Sequence, residues 1–381
     1  MKCVSYNDYR RLAKKRLPAP IFHYIDGAAD DEWSYRNNTS AFDKYTLSPS
    51  YLNNMSQVNM ETTVLGRKIT SPLILSPTGM NRLFHHQKEF AVCKTAHKLG
   101  IGYALSTLGN ISIEDMAEIN SGLNIFQIYI HKERSLTHEF VKRCKTAGID
   151  ALCLTVDTVV AGNREKDIRT GLTMPPRFPL QTIANFISRP SWLFNYLKHP
   201  DFGLANISNK KEVLRNAGPM GLLNYINGQF DRSVTWDDVA ALIKLWDGPF
   251  IIKGLQTAAD ALRARDIGAN AIMISNHGGR QLDSTPAPID CVRPIRKAIG
   301  HDLELIVDGG VRRGTHLIKA LALGADAVSF GRPYLFALAA RGQKGVEAYL
   351  SAFVNEVERN LTLLGCNDVN TLSSDYLFME D

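Results

Sequence analysis

Eight short apolar segments, spaced along most of the chain, constrain the fold more than any other feature of the sequence. Each is rich in β-branched residues and ends in polar residues or glycine, as strands buried on both faces of a parallel sheet do. The segments are residues 72–77, 103–107, 125–129, 151–157, 250–254, 271–277, 303–308 and 327–331. Apolar residues at helical spacing lie between them, at 87–99, 136–147, 258–267, 290–299 and 314–323.

This alternation predicts an α/β fold, a (β/α)₈ TIM barrel. A doubly wound sheet is the alternative, but the eightfold count and the absence of a GxGxxG turn after the first strand argue against it. We expect one domain over residues 1–381. Residues 1–65 precede the first strand and should cover the barrel as helices, with Ser5 and Asp8 at a helix start.

The interval between the fourth and fifth segments is too long for a simple loop. It holds about 90 residues, whereas roughly two to six are typical of a strand-to-helix loop. We therefore expect an insertion at about 170–245. Within it, residues 175–198 mix aromatic and basic side chains, which are Phe178, Phe186, Trp192, Phe194 and Tyr196 with Arg177, Arg189 and Lys198. This segment is either a lid packed on the barrel or a monotopic membrane-docking segment suited to the headgroup boundary.

Composition excludes several classes of protein. A hydrophobic content of 45% is too high for a disordered or collagen-like chain, and a net charge of +6 does not by itself indicate nucleic acid. The 6 cysteines are dispersed without a CxxC pair, so neither a zinc site nor a disulfide framework is indicated. The first residues lack the apolar stretch of a secretory signal, and no segment reaches the ~18 apolar residues of a spanning helix. We expect a cytoplasmic protein, peripheral on the inner face of the cell membrane.

Polar residues follow all eight apolar segments, at the ends where barrels carry their functional groups. This predicts a wide polar ligand across the barrel mouth. After the last two segments, glycines and arginines at 308–312 and 331–332 are typical of a phosphate site, although ordinary turns are the alternative. In the segment 275–283, His277 precedes two glycines and Arg280, which favours a general base beside an anion clamp over a structural histidine.

The segment SNHGGRQLD at 275–283 resembles the active-site signature of the FMN-dependent L-2-hydroxy acid oxidase and dehydrogenase family. The resemblance runs from about Tyr6 to about Cys366 through collinear motifs. They include FHYIDGAA at 22–29, SPTG at 76–79, FQIY at 126–129, LTVDT at 154–158, GNRE at 162–165 and DGGVR at 308–312. Within the family, the chain is most similar to the membrane-associated bacterial L-lactate and (S)-mandelate dehydrogenases, and residues 105–115 resemble the mandelate enzyme.

The resemblance implies FMN as cofactor and a homotetramer as assembly. The residues that would hold FMN are Pro77, Thr78, Gly79, Ser106, Gln127, Thr155, Lys253, Ser275, Asp308, Gly310, Arg312, Gly331 and Arg332. Tyr24, Arg164 and Arg280 would bind the substrate carboxylate, and Tyr129 the hydroxyl. His277 would act as the base, oriented by Asp157.

The reaction implied is oxidation of an L-2-hydroxy acid, lactate or a larger acid such as mandelate, to the 2-keto acid. Electrons would pass to a quinone or a cytochrome, and His277 would take either the Cα proton or the hydroxyl proton. The alternatives are a soluble oxidase that releases hydrogen peroxide, a flavin-binding barrel without turnover, and another FMN barrel enzyme such as an isoprenoid isomerase. Compared with glycolate-type members, Gly79 replaces alanine, and Leu108 and Ala161 replace bulkier residues, which favours substrates larger than glycolate.

Overall fold

A closed barrel of eight parallel strands forms the centre of the molecule. In the computed structural model, residues 2–119, 122–171, 180–201, 203–210 and 228–378 are described. The barrel strands are β1 (Leu73–Leu75), β2 (Gly102–Ser106), β3 (Asn124–Ile128), β4 (Ala151–Thr155), β5 (Phe250–Lys253), β6 (Ala271–Ser275), β7 (Glu304–Asp308) and β8 (Ala327–Phe330). Each strand pairs in parallel with the next, and β8 pairs with β1 to close the barrel. The TIM barrel prediction is therefore confirmed.

Helices surround the barrel and also precede it. They are α1 (Tyr6–Arg16), α2 (Ala19–Asp26), α3 (Trp33–Ser40), α4 (Lys88–Leu99), α5 (Ile113–Ile119), α6 (Arg134–Ala147), α7 (Glu165–Arg169), α8 (Leu180–Ile187), α9 (Pro190–Lys198), α10 (Trp236–Trp246), α11 (Ala258–Asp266), α12 (Pro288–Ile299), α13 (Gly314–Ala322) and α14 (Arg332–Leu364). The start of α1 is as expected, because Ser5 and Asp8 form a reciprocal capping box.

A short antiparallel hairpin closes the amino-terminal end of the barrel. Its strands are Thr62–Val64 and Arg67–Ile69. Val64 and Ile69 of the strands and Leu65 of the turn join the apolar core inside the barrel. The backbone N–H of Leu65 also donates to the carboxylate of Glu304 at the start of β7. Because this end is plugged, the carboxyl ends of the strands are left for a ligand site.

The insertion after β4 places α8 and α9 against the rim of the barrel. The Trp192 indole donates to the carbonyl oxygen of Leu83 at 2.8 Å, and the Arg82 guanidinium lies 5.1 Å from the centre of the Tyr196 ring. Phe186 and Trp192 pack against the main core. These three rings therefore contact protein groups, as the lid alternative expects for this part of the segment.

The opposite face of the same two helices is apolar and exposed. The exposed fractions are 45% for Ile183, 64% for Ile187, 69% for Phe194 and 67% for Leu197. We call these four residues the exposed apolar patch. Arg177 and Phe178, expected to join such a surface, lie outside the described residues. Among the helices that the structure describes, none combines the length and the hydropathy needed to cross a bilayer.

Candidate active site

One cavity at the carboxyl ends of the barrel strands contains almost every site residue expected from the sequence. It encloses about 1400 Å³ between protein atoms, part of which is open to solvent. The expected residues that line it are Tyr24, Pro77, Thr78, Gly79, Ser106, Gln127, Tyr129, Thr155, Arg164, Lys253, His277, Arg280, Asp308, Gly310, Arg312, Gly331 and Arg332. Asp157 and Ser275 are the other two, and both hydrogen-bond to residues of the lining.

His277 and Asp157 form a hydrogen-bonded pair at the ends of β6 and β4. Nδ1 of His277 lies 2.8 Å from Oδ1 of Asp157. Since a carboxylate accepts, Nδ1 carries the proton, which leaves Nε2 as the basic nitrogen. Burial acts to raise the pKa of Asp157, but the charges of His277 and Lys253 outweigh it and lower this pKa to about 2. Asp157 is therefore a permanent anion beside Nδ1 of the imidazole ring.

The turn after β6 explains how the imidazole ring reaches Asp157. His277 has a φ of 56°, in the left-handed region that few non-glycine residues adopt. Its backbone N–H donates to Oγ of Ser275 at 3.0 Å, which holds this conformation. Gly279 follows in the same region, and a Cβ there would lie 2.6 Å from the backbone nitrogen of Tyr35. The turn thus requires glycine where it passes α3, and backbone strain of this kind is typical of functional sites.

Lys253 lies at the end of β5, fully enclosed by acidic and hydroxyl groups. Its ammonium nitrogen is 3.1 Å from Oδ2 of Asp308, 3.0 Å from Oγ of Ser275 and 4.0 Å from Oδ2 of Asp157. Burial opposes the charge, but Asp308 and Asp157 outweigh it and raise the pKa of Lys253. The ammonium group therefore stays charged, at the position where the family resemblance expects the flavin ring.

Two arginines approach the cavity from the side of Tyr24. The Arg280 and Arg164 guanidinium carbons lie 5.0 Å and 5.8 Å from the centre of the Tyr24 ring. Arg280 donates through Nη1 to the carbonyl oxygens of Tyr24 and Gly27, at 2.6 Å and 3.0 Å. Burial, and then the nearby charge of Arg164, lower the pKa of Arg280. A bound carboxylate would relieve both effects, so this end of the cavity suits an organic acid.

Tyr129 lines the same cavity as the two arginines and His277. It is 8% exposed, and burial together with the charge of Asp157 raises the pKa of its hydroxyl. Tyr129 therefore keeps its proton at neutral pH and can donate a hydrogen bond.

The far end of the cavity is suited to a phosphate group. Gly331 directly precedes α14, whose first N–H groups have no acceptor within the helix. Arg332 is held by three carbonyl oxygens, those of Ile25, Gly27 and Gly278. Arg312, from the loop after β7, also lines this end. Two guanidinium groups and a helix N-terminus give the positive potential that a phosphate monoester requires.

The donor set between these ends fits the flavin and ribityl parts of FMN. Ser106 and Gln127 lie side by side, with Oγ of Ser106 donating to Oε1 of Gln127 at 3.1 Å. Asp308 accepts from Ser76 at 2.6 Å and from Ser275 at 2.7 Å, so a ribityl hydroxyl would meet an anchored carboxylate. Buried polar groups thus extend from the Lys253 ammonium group to the phosphate end, as a polar ring system with a phosphorylated side chain requires.

Two of the three positions expected to set pocket size, Gly79 and Leu108, are packed against each other. A Cβ at Gly79 would lie 2.7 Å from Cβ of Leu108 and 3.3 Å from its carbonyl oxygen. The backbone N–H of Met80 already donates to that oxygen at 2.9 Å, which fixes the two loops together. A side chain at position 79 would therefore force the Leu108 loop to shift.

Several residues of the cavity were not expected from the sequence. Thr158 donates to Oδ1 of Asp157 at 2.9 Å and lies 3.4 Å from Nδ1 of His277. Phe84 stacks on Tyr24 with ring centres 6.2 Å apart, and Phe230 packs edge-on against Tyr129 at 5.1 Å. Thr158 belongs to the LTVDT motif, so its position next to Asp157 was a usable signal. No comparable signal marks Phe84 or Phe230.

The comparisons with known proteins agree with this geometry. The model of the FMN-dependent dehydrogenase family matches residues 13–379. Glycolate oxidase from Spinacia oleracea is 36% identical over 99% of this chain and 96% of its own, and L-lactate oxidase from Nostoc sp. is 38% identical over 99% and 98%. The crystal structure of the monotopic membrane protein (S)-mandelate dehydrogenase superimposes with a TM-score of 0.94 at 33% identity, and the match covers 100% of both chains. The chain belongs to the FMN-dependent dehydrogenase family and uses FMN as its cofactor.

Proposed function

We propose that this chain oxidises an L-2-hydroxy acid to the corresponding 2-keto acid with FMN as the electron acceptor. The observation that carries the proposal is the composition of a single cavity. It holds the His277–Asp157 pair, a protonated tyrosine at position 129, and two arginines that suit a carboxylate. A flavin barrel without turnover, or an isoprenoid isomerase, would give no reason for two arginines beside a histidine–aspartate pair.

The side chains of the cavity would bind and orient the substrate. Arg280 and Arg164 would bind its carboxylate, for which planar guanidinium groups offer two-point contact. Tyr129 would donate to the hydroxyl oxygen, which fixes the third point needed to select one enantiomer. Nε2 of His277 would accept one proton, and the anionic Asp157 would stabilise the imidazolium that results.

The oxidation removes two electrons and two protons from the substrate, and His277 would accept one of these protons. Bound FMN would supply the two-electron acceptor that the other bond-breaking step needs. Lys253, kept charged by Asp308 and Asp157, would provide a positive charge where the flavin ring is expected. His277 could accept the proton from Cα or the proton from the hydroxyl group. The products and the number of electrons transferred are the same in both cases.

The apolar part of the lining favours a substrate with a hydrophobic side chain. The cavity that holds the arginines and His277 is also lined by four apolar residues, which are Phe84, Leu108, Ala161 and Phe230. Glycolate has only a hydrogen on C2 where lactate has a methyl group and mandelate a phenyl group. That hydrogen would bury almost no apolar area against these side chains, whereas the methyl or phenyl group would bury more. We therefore propose lactate or a larger acid such as mandelate as the substrate.

We further propose a quinone or a cytochrome as the final electron acceptor, with the enzyme peripheral on the cell membrane. The exposed apolar patch (Ile183, Ile187, Phe194 and Leu197) supports a membrane contact, and so does the likeness to a monotopic membrane protein. We also propose the homotetramer that the family resemblance implies, which light scattering of the purified holoenzyme would test.

A soluble oxidase is the second candidate, because two relatives with 36% and 38% identity are named as oxidases. The two candidates differ in what reoxidises the cofactor. Under the oxidase hypothesis, each 2-keto acid formed in air is matched by one hydrogen peroxide. Under the dehydrogenase hypothesis, peroxide is a small fraction of the product, and a quinone analogue accelerates turnover.

The substrate proposal is tested with purified holoenzyme, the separate enantiomers of lactate, mandelate and phenyllactate, and achiral glycolate. The products are quantified as 2-keto acids with an artificial electron acceptor present. We expect L enantiomers to react, D enantiomers to fail, and glycolate to react more poorly than any of the L enantiomers. Absence of 2-keto acid from every acid would overturn the proposal, and a preference for glycolate would overturn the size argument.

A further inference from the structure

Phe230 separates the substrate cavity from a second cavity. Together with Tyr129, Thr155 and Thr158, it lines both. The second cavity lies beyond this wall, between the ends of β4 and β5 and the start of α10. Among the described residues, its other walls are mostly apolar and include Val234, Val239 and Leu255.

Phe230 is held in this position by the loop after β3. Its backbone forms an antiparallel bridge with His131, two residues beyond Tyr129. On one side, Gln229 accepts from the N–H groups of Lys132 and Glu133 at 2.9 Å and 3.1 Å. On the other, Asp231 forms a 2.8 Å ion pair with Arg134. These contacts fix the end of the insertion to the loop that follows Tyr129. The Phe230 ring packs edge-on against the Tyr129 ring, with an angle of 75° between the two ring planes.

We propose that Phe230 is a specificity-determining residue, whose ring sets the upper limit on the length of the substrate side chain. This inference rests on the proposed function. With the ring present, a side chain that extends past Tyr129 meets the wall. Without the ring, the space of the second cavity joins the first, and its apolar residues can bury an alkyl or aryl group. The ligand class admitted is therefore a 2-hydroxy acid with a long hydrophobic side chain.

The test measures kcat/KM of Phe230→Ala for a series of straight-chain L-2-hydroxy acids, from lactate to 2-hydroxyoctanoate. We expect wild type to lose kcat/KM beyond a certain length. In Phe230→Ala, the ratio of kcat/KM for the longest acid to that for lactate should rise by about 10-fold or more, since each methylene buried in an apolar pocket is worth roughly fourfold and the longest acid has several more than lactate. Binding of the matching 2-keto acids, followed by calorimetry, should show the same change in dissociation constants.

Two further variants separate a change in length selection from general loosening. Phe230→Leu keeps a large apolar side chain at the wall, so it should retain most of the wild-type length limit. Val234 lines the second cavity and is not part of the first, so Val234→Phe alone should leave lactate oxidation unchanged. Combined with Phe230→Ala, it should refill the space and abolish the gain for the longest acid.

The outcomes distinguish this inference from the proposed function. If wild type oxidises lactate but Phe230→Ala shows an unchanged length profile and unchanged 2-keto acid binding, the wall does not select length. If the gain persists when Val234→Phe is added, the second cavity does not supply the space. Should Phe230→Ala be unstable, Val234→Phe in a Phe230→Val background gives the same comparison. If no 2-hydroxy acid is oxidised by wild type, the proposed function itself fails.

Discussion

Nδ1 of His277 donates to Oδ1 of Asp157 at 2.8 Å, across the mouth of the barrel from the end of one strand to the end of another. The two residues are 120 positions apart in sequence, so only barrel closure brings them together. The other oxygen of the carboxylate lies 4.0 Å from the Lys253 ammonium group. Asp157 therefore joins the proposed base to the charge at the flavin position.

Asp157→Asn should lower kcat strongly while FMN stays bound. An amide presents no charge to stabilise the imidazolium, and it can turn its N–H₂ toward Nδ1, which favours the wrong tautomer. Loss of general base function typically costs about 10²–10⁴ in rate. Steady-state kinetics and the flavin absorbance spectrum would measure both quantities. A variant that retains wild-type kcat would show that Asp157 has no part in proton transfer.

Arg280→Lys should raise KM for the acid and lower kcat/KM, because an ammonium group cannot provide two-point contact with a carboxylate. A charge-assisted hydrogen bond of this kind contributes about 1.5–3 kcal/mol, or roughly 10- to 150-fold in kcat/KM. Lys297→Arg, in α12 and remote from the cavity, is a charge-conserving control. Equal KM values for Arg280→Lys and the control would remove Arg280 from substrate binding.

Glu89 should make stability depend on pH, independently of catalysis. It is 0% exposed, and burial raises the pKa of its carboxyl from 4.5 to about 7. Below pH 4.5 the folded and unfolded chains both hold the proton. Between pH 4.5 and 7 only the folded chain keeps it, so the free energy of unfolding falls as pH rises.

In Glu89→Gln the side-chain amide does not titrate, so the free energy of unfolding should not show this fall as pH rises. Relative to wild type, its free energy of unfolding should increase by on the order of 3 kcal/mol between pH 4 and pH 8. Urea unfolding of both proteins at the two pH values provides the measurement. A difference between the variants that does not change with pH would mean that the Glu89 carboxyl titrates at its ordinary pKa.

The exposed apolar patch should bind anionic lipid. Replacing Ile187, Phe194 and Leu197 by serine removes exposed apolar area without changing charge, so binding to anionic vesicles should weaken by at least 10-fold. Cosedimentation with phosphatidylglycerol vesicles measures this. Leu282 and Leu363 are also exposed but lie outside the insertion, and their replacement by serine is the matched control. If wild type fails to sediment at low salt, the patch is not a membrane surface.

The barrel could be predicted from sequence because its signal is local and repeated. Each barrel strand overlaps one of the eight apolar segments. Barrel closure brings the polar residues after these segments together at one end. The proposed catalytic arrangement could be predicted for the same reason, since His277, Lys253 and Asp157 each lie at a strand end.

The insertion was harder to predict, since its residues are placed by tertiary contacts. Trp192 and Phe194 are two positions apart on one helix, yet one donates to Leu83 and the other is 69% exposed. Because both side chains are aromatic, the sequence alone does not distinguish the one that contacts the barrel from the one that is exposed. Phe230 lies in no strand or helix that its sequence would mark, and its position depends on contacts that Gln229 and Asp231 make with the loop after β3.

We propose that His277 accepts the substrate proton in an FMN-dependent oxidation. Anaerobic mixing of L-lactate or L-mandelate with wild-type and His277→Ala holoenzymes tests it most directly, with loss of flavin absorbance as the readout. Wild type should lose its flavin absorbance and form one 2-keto acid per FMN. His277→Ala should bind FMN but react more slowly by a factor of about 10²–10⁴ or more. Equal rates of flavin reduction in the two proteins would show that His277 does not accept the substrate proton.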